Sequence, residues 1–184
     1  MVLPILGKVL HPVRAGENRS RLRGNGLDAT AALSVTSSTF ADGAALPPEC
    51  TGAHGGQNVS PALQWTGQPI STKQLVLVVE DIDVPLPRPL LHCIALIEPS
   101  IDGLAEGALR SDTPGIRFIP TALGRDGYVG PRPISGHGPH RYRFHLMALS
   151  ESIPAAAATG RSLFKAAAGR VVARGLITGT YESR

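Results

Sequence analysis

The chain is poor in aromatics, at 4% Phe, Trp and Tyr, which leaves little surface for stacking nucleic-acid bases. No apolar run approaches the ~20 residues of a membrane-spanning helix. The opening "MVLPILGKVLHPVR" is interrupted by Lys8 and has no basic start before its apolar run. It is therefore not read as a signal peptide, and a cytoplasmic location is expected. The two cysteines, Cys50 and Cys93, lie far apart with no metal-ligand spacing, so free buried thiols are expected rather than a metal site. Motifs such as H-x-x-x-H, H-E-x-x-H and G-x-S-x-G are missing as well, which argues against a metallohydrolase or an esterase elbow.

What the chain does have is punctuation. Its 16 prolines and 21 glycines are spread along 184 residues and divide short apolar runs, the pattern of strands joined by long loops. "AALSVTSSTF" (31–40) reads as an early strand and residues 42–63 as a long loop. "QLVLVVE" (74–80) and "HCIALI" (92–97) read as strands buried on both faces. Residues 98–115 connect. "RYRFHLMAL" (141–149) alternates, with Tyr142, Phe144, Leu146 and Ala148 on one face and Arg141, Arg143 and His145 on the other. "GRSLFKAAAGRVVAR" (160–174) has helical spacing, with Thr159 or Ser162 to start it and Gly175 to stop it. "LITGTY" (176–181) closes the chain as a strand. The expectation is a single β-rich domain over 31–184, preceded by a basic arm over 1–30.

The net charge is +4, and Lys8, Arg14, Arg19, Arg21 and Arg23 supply much of it against Glu17 alone in that region. Such an arm suits nucleic acid or an anionic surface. With so few aromatics, no nucleic-acid partner is expected; the arm is read as a solvated tail or as a segment packing on a second copy.

Polar residues gather where strands end. "VVEDIDVP" runs a buried strand into Asp81 and Asp83. By alternation the two carboxylates share a face if the strand stays regular, unless they cap the turn through backbone N–H groups. His92 opens the next apolar run. "GPRPISGHGPHRY" brings Gly130, Pro131, His140 and Tyr142 to a loop–strand junction, with His137 and His145 as weaker candidates. A histidine beside a carboxylate is favoured in its charged form, which donates from both nitrogens. His92 and His140, next to glycine N–H groups, would then bind a small anion.

These blocks resemble the phosphatidylethanolamine-binding protein family, which includes the Raf kinase inhibitor proteins and their bacterial relatives. The similarity rests on "DIDVP" (81–85) followed by His92, on "GRDGYVGP" (124–131), on "GPRPISGHGPHRY" (130–142), on "GGQNVSPALQW" (55–65) and on "GTY" (179–181), in order over roughly residues 34–182. The resemblance implies a mostly β fold: a large antiparallel sheet packed on a smaller one in Greek-key style, with a C-terminal α-helix. It implies a ligand pocket for phosphate-like or carboxylate groups at Asp81, Asp83, His92, Gly130, Pro131, His140 and Tyr142, with no cofactor and no metal. It also implies a binding protein rather than an enzyme, and a homodimer in some bacterial relatives. Two other classes stand beside this one: a hydrolase using the Asp/His set, and a protease or kinase inhibitor acting through protein contact. The chain departs from the bacterial pattern at Cys93, where tryptophan is usual, at Leu90 and Leu91, where an aromatic is common, and at Arg132, where a small residue or proline is usual. The expected pocket therefore has a less aromatic wall and an added cation.

Overall fold

The computed structural model describes residues 3–52, 56–124 and 126–183. Helix α1 (Leu3–Leu10) comes first, then β1 (Ala31–Ala32), β2 (Ser34–Thr36), β3 (Leu63–Thr66), β4 (Gln74–Asp81), β5 (Leu90–Ile97), β6 (Gly103–Leu104), β7 (Ile116–Phe118), β8 (His140–Leu149), α2 (Gly160–Ala167) and β9 (Val171–Tyr181). The large sheet runs β1-β9-β8-β4-β5-β7 and the small one β2-β3-β6. Every pairing is antiparallel except β1 with β9, so the large sheet carries one parallel edge.

The expected strand over 31–40 is two short strands in different sheets. The chain leaves the large sheet after Ala32 and enters the small one at Ser34. Gly175 permits this crossing, because a Cβ there would lie 2.6 Å from the Leu33 carbonyl oxygen. The expected helix over 160–174 is also shorter. Thr159 caps it through a reciprocal bond with Ser162, and it ends at Ala167. Gly169 then turns the chain at φ +74°, and the β-branched pair Val171–Val172 begins β9, where such side chains pack best.

The central strands β4 and β8 bury both faces. Leu75, Leu77, Val79, Phe144 and Leu146 face the small sheet, packing with Trp65, Leu63 and Phe40. Val76, Val78, Met147 and Leu149 face outward, packing under Leu163, Phe164 and Ala167 of α2 and under Leu22 and Leu27. Each fully buried leucine of this kind contributes about 1.5–3 kcal/mol relative to exposure. This explains the unbroken apolar run of β4: neither face meets water.

Leu22 and Leu27 belong to the basic segment and are buried, so the expectation of a solvated tail does not hold. The segment packs on its own sheet. Ala15 and Gly16 donate backbone bonds to Val84 and Ile82. Arg14 bonds the carbonyls of His137 and Pro139, and Arg143 pairs with Glu17 at 2.8 Å. Helix α1 lies against the loop before β8 so closely that a Cβ on Gly7 would sit 2.0 Å from the Ser135 carbonyl oxygen.

Candidate functional site

Where β4, β5 and β8 end together, a cavity of about 230 Å3 opens between them and the loops that follow. Asp81, His92, His140 and Tyr142 line its polar side, and Leu86 and Ile134 are among its apolar walls. The structure brings these four residues of the expected set together with Gly130 around one cavity.

Asp81 and Tyr142 arrive by plain alternation. They are direct partners across β4 and β8 and face the small sheet. His92 arrives differently. Val79 pairs with Cys93, but Glu80 pairs with Leu91, so His92 is an extra residue in the ladder. Such a bulge turns a side chain off its alternating face. Without it, His92 would share the outward face of Ile94. With it, the ring meets Tyr142 edge-on, with centroids 5.2 Å apart.

The buried carboxylate of Asp81 does two things. Its Oδ1 accepts the backbone N–H of Asp83 at 2.9 Å, turning the chain, and its Oδ2 accepts from His140 Nδ1 at 2.7 Å. His140 Nε2 lies 2.6 Å from His137 Nδ1, and His137 Nε2 reaches the carbonyls of Leu10 and Val13 at 3.0 and 3.1 Å. Carbonyls only accept, so His137 Nε2 carries a proton. The whole chain of contacts needs three protons, one more than two neutral rings and an ionised acid hold. Burial and the neighbouring His140 keep the pKa of His137 below the ordinary histidine value.

Four expectations are corrected here. His140 does not offer a donor to a ligand, because Asp81 and His137 occupy both its nitrogens. The Gly130 N–H is not free either: it donates to Asn58 Oδ1 at 2.7 Å. Glycine is needed at 130 for space, since a Cβ would lie 2.2 Å from the Cys50 carbonyl oxygen. Asp83 does not join Asp81 at the cavity. The strand ends before it, and its carboxylate accepts from Arg141 Nε at 2.7 Å and Arg141 Nη2 at 2.8 Å, and pairs with Arg14 at 3.2 Å. Burial pushes the Asp83 pKa up, but these guanidinium contacts outweigh it and leave it lowered. Pro131 contributes backbone, its carbonyl accepting from Gly52, and does not itself line the cavity.

What the cavity retains is two polar atoms without protein partners. His92 donates from Nδ1 to the Val129 carbonyl at 2.7 Å, and its buried Nε2 is unpartnered among the described residues. The buried Tyr142 hydroxyl lies beside the Asp81 carboxylate but meets no acceptor in full hydrogen-bond geometry among the described residues. Burial lowers the pKa of His92 despite Asp81 nearby; with Nδ1 donating to Val129, the neutral ring carries a lone pair at Nε2. Burial, with Asp81 beside it, keeps Tyr142 protonated as a donor. Exposed Arg132 stands at the mouth.

Asn58 was missed by sequence reasoning, although its segment was singled out. It holds the site's floor by bonding the Tyr128 carbonyl and the Gly130 N–H from a left-handed backbone at φ 57°, a conformation asparagine tolerates. Cys50 and Cys93 are free and buried, as expected. Burial pushes the Cys50 pKa up to about 11. Among the described residues, no three His, Cys, Asp or Glu side chains group as metal ligands.

Comparison with known proteins agrees with this architecture. A UPF0098 protein of Mycobacterium tuberculosis is 35% identical over 154 residues, spanning 82% of this chain and 70% of the relative. The crystal structure of YbcL from E. coli, described as a member of the mammalian PEBP family, superposes with a TM-score of 0.75 at 28% identity, covering 84% of this chain and all (100%) of YbcL. The PEBP homologue CT736 of Chlamydia trachomatis gives 0.74 at 30% identity, covering 84% and 100% of the two chains. Residues 36–182 match the phosphatidylethanolamine-binding protein family model, and the chain belongs to that family.

Proposed function

We propose that this protein binds a small oxyanion, of the phosphate, phosphate-monoester or carboxylate class, in the cavity at the ends of β4, β5 and β8. The observation that carries the reading is the pair of buried, unpartnered polar atoms, His92 Nε2 and Tyr142 Oη, on one small cavity. A buried polar group left unpaired costs about 1–3 kcal/mol, and a ligand oxygen relieves that cost at both atoms. Tyr142 donates to an anionic oxygen. His92 accepts from an acid O–H of the ligand, or takes up a proton and donates. Monoprotonated phosphate satisfies both groups. Arg132 adds a cation at the entrance.

The reading is of a binder rather than a covalent hydrolase. Among the described lining residues there is no serine, threonine, cysteine or lysine to act as nucleophile, and the Asp81–His140–His137 unit is engaged in holding the loop. An NMR titration of the imidazole nitrogens with inorganic phosphate and with phosphoethanolamine tests it. His92 Nε2 is expected to shift and gain a proton while His145, on the opposite face, stays still. If His92 responds to neither ligand, the reading is wrong.

A further inference from the structure

On the outward side of the large sheet, a cleft of about 410 Å3 lies between the basic segment, the β4–β5 loop and α2. Four cations converge on it: Arg21, Arg88, Arg161 and Lys165. The lining contains no carboxylate; Asn25, Phe164 and Ala168 complete it. Each of the four side chains is exposed, and none makes a hydrogen bond or ion pair among the described residues. Several arginines elsewhere are paired with carboxylates: Arg14 and Arg141 meet Asp83, Arg143 meets Glu17, Arg170 meets Glu151 and Arg110 meets Asp112.

Two of these cations, Arg161 and Lys165, stand four residues apart on α2, a like-charge spacing that destabilises a helix. Arg21 and Arg88 come from distant parts of the chain and add to the same field. Field lines concentrate in a cleft with a low-dielectric wall, and Phe164 and Ala168 supply that wall. We infer that this cleft is a second binding site, for a compact polyphosphate: a small soluble ligand with two or more adjacent phosphates. Guanidinium groups match phosphate oxygens in pairs. A single phosphate leaves most of the four cations uncompensated, whereas a chain of phosphates spans them. The apolar floor at Phe164 suits the carbon-bearing part of an organic polyphosphate. The site lies on the face of the sheet opposite the small cavity and does not depend on how that cavity functions.

Calorimetric titration at low salt with sodium tripolyphosphate, and separately with ATP, tests the inference, with amide NMR shifts to locate the binding. Saturable one-to-one binding is expected, with shifts at residues of α2 and of the 21–25 segment. Binding should weaken by about tenfold or more in R161E/K165E and again in R21E/R88E. These are two independent pairs of exposed substitutions, and unchanged melting will show that both fold. A third arm uses vesicles of phosphatidylcholine with phosphatidylglycerol. Binding to vesicles that tripolyphosphate displaces locates the phosphates on lipid as well as free ligand. No saturable tripolyphosphate binding, binding indifferent to both double variants, or vesicle binding without tripolyphosphate binding each overturns the proposal.

Discussion

Glu80 and Asp81 are neighbours in one strand, and each meets a histidine of β8, yet the two pairs serve different ends. On the outer face, Glu80 accepts from His145 Nε2 at 3.0 Å and from the Ser20 hydroxyl at 2.8 and 2.9 Å. Arg174 donates to His145 Nδ1 at 3.0 Å and also bonds the Leu22 and Leu27 carbonyls. These bonds make a knot that ties the basic segment to the sheet. On the inner face, the Asp81–His140–His137 unit is equally satisfied. It stands, however, beside His92 Nε2 and Tyr142 Oη, which are not. An acid–histidine pair is therefore no guide to function by itself. The guide is what remains unpaired next to it.

The strongest way to break this comparison is Glu80→Leu. It removes the centre of the outer knot, leaving His145 and the Ser20 hydroxyl without their buried acceptor, so a loss of about 3–5 kcal/mol is expected by urea unfolding. Phosphate binding in the folded fraction should be unchanged; if affinity fell while stability held, the assignment of the two faces would be reversed. Next in size is His92→Leu, which should weaken phosphate by about 1.5–3 kcal/mol, the usual loss for a hydrogen bond to a charged group, as read by calorimetry.

The pH dependence separates stability from binding. Burial lowers the pKa of His92, His137 and His145 in the folded state. The unfolded chain therefore binds more protons than the folded one just below the ordinary histidine value of about 6.5. Stability is full above that value and declines as pH falls below it. Phosphate affinity should move the other way, rising on acidification as His92 takes a proton, so that phosphate protects the fold most in acid. Thermal melting from neutral to mildly acidic pH, with and without phosphate, checks both signs; protection that grows with rising pH would contradict the role given to His92.

Tyr142→Phe sharpens the comparison with a smaller effect. It removes an unpaired hydroxyl, so melting should stay level or rise, while phosphate affinity drops by about 0.5–1.5 kcal/mol. Arg141→Ala is the smallest. Arg141 is half exposed, with its side chain at 53%, and Arg14 still meets the buried Asp83 after its removal, so a loss of about 0.2–1 kcal/mol in stability is expected, with no change in phosphate binding.

Much of this was legible in the residues themselves. The unbroken apolar run of β4 announced a strand without a wet face. The alternation of β8 placed Tyr142 on the inner side and His145 and Arg143 on the outer. The turn residues between strands marked the loops that rim the cavity. These features are local, because strand period and turn chemistry are properties of a few consecutive residues. The helix boundary was less legible. Alanine-rich spacing continued past Ala167, and only the left-handed turn at Gly169 separates α2 from β9.

Tertiary structure alone decided the rest. Alternation assigns His92 to the outer face, and a one-residue mismatch between β4 and β5 brings it to the inner one. Asp83 reads as a twin of Asp81 until Arg14 and Arg141 arrive from elsewhere in the chain to claim it. The basic segment reads as a loose arm until Leu22 and Leu27 are seen buried under the sheet's outer face. In each case the deciding partner is distant in sequence, and no local pattern encodes which polar atoms a folded chain will leave unpaired. The sequence determined the strands, the turns and the residue types at the site; long-range register and packing determined which of those residues face the cavity.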